Sequence, residues 1–82
     1  MKAHLTITLK PGVLDPQGKA IEDALHGLGF SQVREARQGK LIVLDIDEND
    51  PQRARNEIDR MCTALLANTV IEDYKIEILT QT

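Results

Sequence analysis

The tripeptide Asp-Pro-Gln stands twice in this chain, as Asp15-Pro16-Gln17 and Asp50-Pro51-Gln52, each time where a strand-like run gives way to a helix-like one. An aspartate ahead of a helix accepts a hydrogen bond from an orphan N–H of the first turn, and proline suits the first helical position because its missing N–H costs nothing there. These two starts divide the chain. After Pro16, residues Ile21, Ala24, Leu25 and Leu28 recur at i, i+3, i+4, i+7 and make one apolar stripe. Gly29 predicts a left-handed stop, with Phe30 folding back on Leu25 in a Schellman motif. After Pro51 the same spacing returns as Ile58, Met61, Cys62 and Leu65, with Ala54 one turn earlier and Asn68 as the expected left-handed stop.

Outside the helices the pattern changes to period two. His4 to Lys10 alternates, with Leu5, Ile7 and Leu9 on one side, which predicts a half-buried strand broken by Pro11-Gly12. Gln32 to Arg37 reads as a second strand, Gln38-Gly39 as a tight turn, and Lys40 to Ile46 as a third strand. The third is apolar on both sides, with Ile42, Leu44 and Ile46 on one and Leu41 and Val43 on the other. Strands of that kind are usually covered twice. Val70 to Leu79 is the last strand and places Tyr74, Ile76 and Ile78 on a common face.

The expected fold is α+β: a βαββαβ two-layer sandwich, one domain over residues 1–82, with two helices on one face of an antiparallel sheet. Leu41 and Val43 then lie on the open face and are the candidate oligomer interface, so the chain is expected to self-associate through its sheet as a dimer or larger. A chain of 82 residues buries only about 60% of the surface its unfolded form exposes, which favours association.

Composition narrows the function. Net charge is −3, Phe30 and Tyr74 are the two aromatics and there is no Trp, so the basic stripe and stacking platform of a nucleic-acid binder are missing. One cysteine fits a reducing compartment, the N-terminus lacks the apolar core of a signal peptide, and no run reaches the ~20 apolar residues of a membrane span. A cytoplasmic chain is expected, bound neither to nucleic acid nor to membrane.

The stretch Gly12 to Ala20 resembles a phosphate-binding loop, but five residues separate its first glycine from Gly18-Lys19, where that loop has four. Ala20 supplies no hydroxyl for Mg²⁺, Asp15 repels phosphate, and Pro16 removes an N–H donor. A bend before a helix is the better reading. The acidic run Asp45 to Asp50 imitates a calcium loop but has Asp50 where the turn needs glycine and Asn56 where it needs glutamate. Cys62 sits on an apolar stripe with no base at a spacing that implies pairing, and two His with one Cys make no zinc set without scattered carboxylates. Lys10, Lys19, Arg34, Arg37 and Lys40 read as surface scatter, not an anion site. Catalytic, cofactor and metal residues are therefore expected to be absent, and the chain reads as a binding or assembly module.

Two stretches carry a family likeness. Leu9-Lys10-Pro11-Gly12-Val13-Leu14-Asp15-Pro16-Gln17-Gly18 resembles the N-terminal signature of the PurS family, the small subunit of phosphoribosylformylglycinamidine (FGAM) synthase. Gly39-Lys40, then Met61-Cys62, Leu65-Leu66-Ala67-Asn68 and Val70-Ile71-Glu72-Asp73-Tyr74, follow the same family in order. Family members commonly carry Pro after the Asn, where this chain has Thr69. The resemblance implies a non-catalytic subunit of an ATP- and glutamine-dependent ligase complex of purine biosynthesis. Such a subunit bridges a glutaminase and a large synthetase so that ammonia passes between them, while ATP and Mg²⁺ sit on the large partner. On this basis Asp15, Pro16, Gln17, Gly18, Asn68, Glu72, Asp73 and Tyr74 are the candidate partner contacts. Two other classes share the expected element order: an ACT-like regulatory domain binding a small effector, and an acylphosphatase-like hydrolase. The second needs an anion-cradling loop with arginine after the first strand, and Lys10-Pro11-Gly12-Val13-Leu14-Asp15 supplies none.

Overall fold

The computed structural model describes residues 1–79. Along the chain come β1 (Lys2–Leu9), α1 (Pro16–Gly27), β2 (Gly39–Asp45), α2 (Pro51–Met61), a π-helical turn (Cys62–Leu66) and β3 (Glu72–Leu79). The three strands form one antiparallel sheet in the order β2-β1-β3. Its register sets Leu5 between Ile42 and Ile76, and Ala3 between Leu44 and Ile78, so the alternating apolar residues of all three strands share one inner face. Rows such as His4 with Val43 and Glu77, and Thr6 with Leu41 and Lys75, make up the other.

The α+β class and the antiparallel sheet are as the sequence predicts, and so are both helix starts. The Asp15 Oδ1 accepts from the Gly18 N–H at 2.8 Å, and the Asp50 Oδ1 accepts from the Gln52 N–H at 3.1 Å. At the far end of α1, Gly29 has φ +99°, its N–H donates to the His26 carbonyl and the Phe30 N–H donates to the Leu25 carbonyl, which is the expected Schellman pair.

Helix α2 lies against the inner face. Ile58 and Cys62 are fully buried with Ala3, Leu5 and Ile7, and Ala54 is buried one turn earlier. Arg55 reaches over the edge of this layer and donates to the Ile76 carbonyl at 3.1 Å.

Three expectations are corrected. Residues 32–37 form no strand, and Gln38-Gly39 is no hairpin turn. The segment instead runs back along α1: a His26 ring nitrogen lies 2.6 Å from the Val33 carbonyl oxygen, and the Ala36 N–H donates to Glu22 Oε1 at 3.3 Å. The described order is thus βαβαβ, and α1 with its return segment makes an arm. Nor does α1 cover the sheet as α2 does; Ile21 and Leu28 of its apolar stripe are 43% and 75% exposed. The Asp15 carboxylate accepts from the Gly18 and Gln38 N–H groups and so ties the start of α1 to the end of the return segment, which occupies one flank of the helix.

The third correction lies after α2. The Ala67 N–H donates to the Cys62 carbonyl at 3.0 Å, an i to i+5 bond that widens the last turn. The extra residue rotates the stripe by one position, so Leu65 is 83% exposed while Leu66 is half-buried and Ala67 buried. Asn68 does not adopt the left-handed conformation, because no described non-glycine residue has positive φ. It closes the turn differently: its Oδ1 accepts from the Val70 N–H, and its carbonyl accepts from the Ile71 and Glu72 N–H groups.

Thr69 follows Asn68 as the second residue of this turn, a place where proline is favoured and, among the described residues, its amide donates no hydrogen bond. Thr69→Pro is therefore expected to stabilise the chain by about 0.4–1 kcal/mol by restricting the unfolded state. Thermal unfolding read by circular dichroism should show a rise in Tm of a few degrees.

Candidate functional site

The C-terminal end of β1 is where separate parts of the chain converge. The Lys10 N–H donates to the Ile71 carbonyl at 2.8 Å, and Arg37 Nη2 donates to the carbonyls of Leu9 and Lys10 at 3.2 and 3.1 Å. Around this crossing lies a cleft of about 340 Å³ lined by Leu9, Asp15, Gln17, Gln38, Lys40 and Glu72.

Asp15 organises one wall. It is 8% exposed, and its two carboxylate oxygens accept from the Gly18 and Gln38 N–H groups, each at 2.8 Å. The Gln38 and Gly18 hydrogen bonds, with Arg37 Nε 4.0 Å away, hold its pKa below the usual carboxylate value against the opposing effect of burial. A depressed folded pKa means that the ionised form stabilises the fold above the unfolded value and that this contribution is lost as pH falls through the folded one. Asp15→Asn should accordingly flatten the acid limb of a Tm-against-pH profile.

Gly18 is buried beneath this carboxylate because the Ala36 carbonyl approaches too closely for a side chain. Glu72 forms the opposite wall, with Oε1 accepting from the Asn68 N–H at 2.7 Å and Oε2 lying 3.6 Å from Lys40 Nζ.

Of the predicted contacts, Asp15, Gln17 and Glu72 thus gather at one cleft, with Gly18 and Asn68 bonded to its walls. Pro16 and Gln17 are exposed there, whereas Asp15 and Gly18 serve the arm's own attachment. Asp73 points to the open face opposite Thr8. Leu41 and Val43 are on that same face, 60% and 58% exposed. Tyr74 belongs elsewhere: it is on the inner face, donates its hydroxyl to Asp59 Oδ1 of α2, and lines a separate open groove with Arg55, Asn56 and Lys75.

That hydrogen bond to a carboxylate, aided by desolvation, pushes the Tyr74 phenol up to about 12 from an ordinary value of 10. With one Tyr and no Trp, an ultraviolet titration reads this phenol alone. The expected midpoint is about 12, and Asp59→Asn should bring it back toward 10. Because the folded pKa is the higher one, the associated stability is complete below pH 10 and fades as pH climbs through 12.

Three of the five scattered cations are already engaged within the chain. Arg37 is committed to two backbone carbonyls, Lys40 to Glu72, and Lys19 to Glu22 and Asp23 at 2.9 and 3.3 Å. Sequence reasoning passed over Gln38 as a member of the cleft. Its position depends on the return segment lying along α1, which no local pattern announces. Cys62 is buried, and desolvation with the nearby Asp59 charge raises its pKa, opposite to what activates a nucleophile.

The chain matches the family described as "PurS: Phosphoribosylformylglycinamidine (FGAM) synthase" over residues 2–80. The chain belongs to the PurS family. It is 42% identical over 77 residues to the phosphoribosylformylglycinamidine synthase subunit PurS of Methanocaldococcus jannaschii, covering 94% of this chain and 93% of that one. It is 43% identical to the Bacillus subtilis PurS subunit, covering 94% and 90%. Among solved structures, M. jannaschii PurS superposes with a TM-score of 0.88 over 99% of this chain and 98% of its own. A chain in the structure of PurLQS from Thermotoga maritima superposes with a TM-score of 0.86 at 29% identity, covering 95% of each. The likeness to PurS structures extends over nearly the whole chain, including the arm.

Proposed function

We propose that this chain is the small, non-catalytic subunit of an ATP- and glutamine-dependent FGAM synthase of purine biosynthesis. The match to PurS over residues 2–80 carries the reading, and the superposition on a chain of T. maritima PurLQS supports a place within an assembly. In this role the chain bridges a glutaminase and a large synthetase for ammonia transfer, and ATP and Mg²⁺ belong to the large partner. The cleft at the end of β1, with the exposed Gln17 in its lining and the exposed Pro16 beside it in the chain, is the surface offered to those subunits. The buried, raised-pKa Cys62 is consistent with glutamine hydrolysis being done by another chain. Among the described residues no helix is long and apolar enough to cross a membrane, and the working compartment on this reading is the cytoplasm.

The chain also self-associates, as a dimer or higher oligomer, and the open face bearing Leu41 and Val43 is one surface available for it. Reconstitution tests the role. Large subunit, glutaminase and this chain are purified separately and mixed, and glutamine-dependent FGAM formation is followed. Activity should collapse when this chain is omitted and return on adding it back; undiminished activity without it would defeat the proposal.

A further inference from the structure

The side of α1 turned away from its apolar stripe gathers groups that ligate metals. Glu22, Asp23 and His26 each offer one donor atom, and the three atoms lie within 4.8 Å of one another. Glu22 and Asp23 stand four and three residues before His26, spacings that set side chains over one another on a helix. Ile21, Ala24, Leu25 and Leu28 run along the other side, so a cover on the stripe leaves this cluster open. Two His and one Cys make a metal set only with carboxylates added, and here a single helix supplies two beside an imidazole.

The return segment positions two of these groups from outside the cluster. The Ala36 N–H donates to Glu22 Oε1 at 3.3 Å, and the Glu22 side chain is only 13% exposed. His26 Nε2 lies 2.6 Å from the Val33 carbonyl oxygen. A carbonyl only accepts, so in the neutral ring Nε2 carries the proton and Nδ1 keeps its lone pair. Ligating histidines are held in this way, with one N–H given to a backbone carbonyl and the other nitrogen left for the metal.

The two carboxylates already grip a positive charge. Lys19 Nζ lies 2.9 Å from Glu22 Oε2 and 3.3 Å from Asp23 Oδ1, and its hydrogen bonds to Glu22 and then Asp23 raise its pKa. Its side chain is 62% exposed on a flexible stem and is free to swing aside. Lys19 and Glu22 also line a cavity of about 380 Å³, which gives an arriving ion room for its waters.

We propose that Glu22, Asp23 and His26 form a site for one divalent transition-metal ion of the zinc class, which displaces the Lys19 ammonium. The donor set selects the class. Imidazole nitrogen suits Zn²⁺, Co²⁺ and Ni²⁺, whereas Mg²⁺ and Ca²⁺ prefer oxygen alone. Ligands about 2.0–2.2 Å from such an ion stand ~3.4 Å apart in a tetrahedron, a contraction that small rotamer changes in these side chains supply. Water takes the remaining position. Because His26 and Glu22 are tied to residues 33 and 36, the bound ion also fastens α1 to its return segment.

Calorimetric titration of the whole chain with Zn²⁺ tests the site, with folding of each variant verified by circular dichroism. One ion should bind per chain, and Mg²⁺ should give no comparable binding. Glu22→Gln and His26→Asn should each weaken Zn²⁺ binding by about tenfold or more. Lys19→Ala should act the other way and tighten it about threefold, because no ammonium competes. His4→Asn removes the other histidine and should leave binding unchanged. If the ligand variants do not fold, paramagnetic Co²⁺ added to the wild-type chain serves, and amide NMR signals should broaden most at residues 22–26 and 33–36. Broadening centred on His4 or Cys62, Mg²⁺ binding as tight as Zn²⁺, or no saturable Zn²⁺ binding overturns the site. So does binding that ignores His26→Asn or weakens with Lys19→Ala.

Discussion

Ile58→Ala is expected to cost about 2–5 kcal/mol of folding stability, the range for removing a large aliphatic side chain from a close-packed interior. Ile58 is fully buried on α2 and belongs to the same cluster as Leu5 and Ile7 of the central strand. The loss is large because the total is small: a domain of this size is stable by about 4–12 kcal/mol. The remainder of the cluster cannot close the gap cheaply, since its other members include Ala3, Cys62 and Ala67, which are short. Urea unfolding at fixed protein concentration measures the change, and a loss under about 1 kcal/mol would show that α2 is not the main cover of the sheet.

The second large effect concerns two glycines of one helix that should respond to alanine with opposite signs. A Cβ at Gly18 would come 2.5 Å from the Ala36 carbonyl oxygen and 2.6 Å from Asp15 Oδ2. Neither is the free end of a flexible side chain. One is backbone, and the other is fixed by the Gln38 N–H. Relief requires the return segment to move off the helix start, with an overpacking cost of about 1–3 kcal/mol. The gain in helix propensity is at most ~1 kcal/mol and does not offset it. At Gly27 an added Cβ meets nothing within 4 Å, so Gly27→Ala should keep that propensity gain of up to ~1 kcal/mol. Parallel thermal melts decide the matter: Gly18→Ala should melt lower than wild type and Gly27→Ala higher. Equal shifts would mean that residues 36–38 do not press on the start of α1.

The same pair shows what a sequence discloses and what it withholds. The starts at Asp15 and Asp50 and the stop at Gly29 were legible because each is decided within about four residues, by a side chain or a glycine and the backbone beside it. The period-two runs of β1, β2 and β3 were legible for a similar reason, and their register followed from matching apolar faces. Gln32 to Arg37, predicted as a strand, has no strand to pair with among the described residues. Its Ala36 N–H donates to Glu22 and its Val33 carbonyl oxygen lies against a His26 ring nitrogen instead. Whether an extended segment becomes a strand depends on a free neighbouring edge, and that is a property of the whole arrangement.

The stripe on α1 was read correctly as a stripe; what it covers was not, because amphipathicity records that a face is to be buried and not by whom. In the candidate cleft, Asp15 and Glu72 were named from the family likeness. Gln38, 23 residues away, was brought to Asp15 by the arm's return segment, and Lys40 was brought to Glu72 by the pairing of β2 and β3 on either side of β1.

The widened turn at Cys62–Leu66 has a consequence for how this length of chain arose and what lengths it tolerates. A π-turn holds one residue more than the α-helical ladder requires. The surplus residue is outward-facing Leu65, whose side chain contributes little to the interior. Excising it would let Leu66 inherit the inward slot and leave an unbroken α-helix, so the chain contains a ready-made site for a single-codon deletion, and the π-turn has the form that a one-residue insertion into such a helix would leave behind.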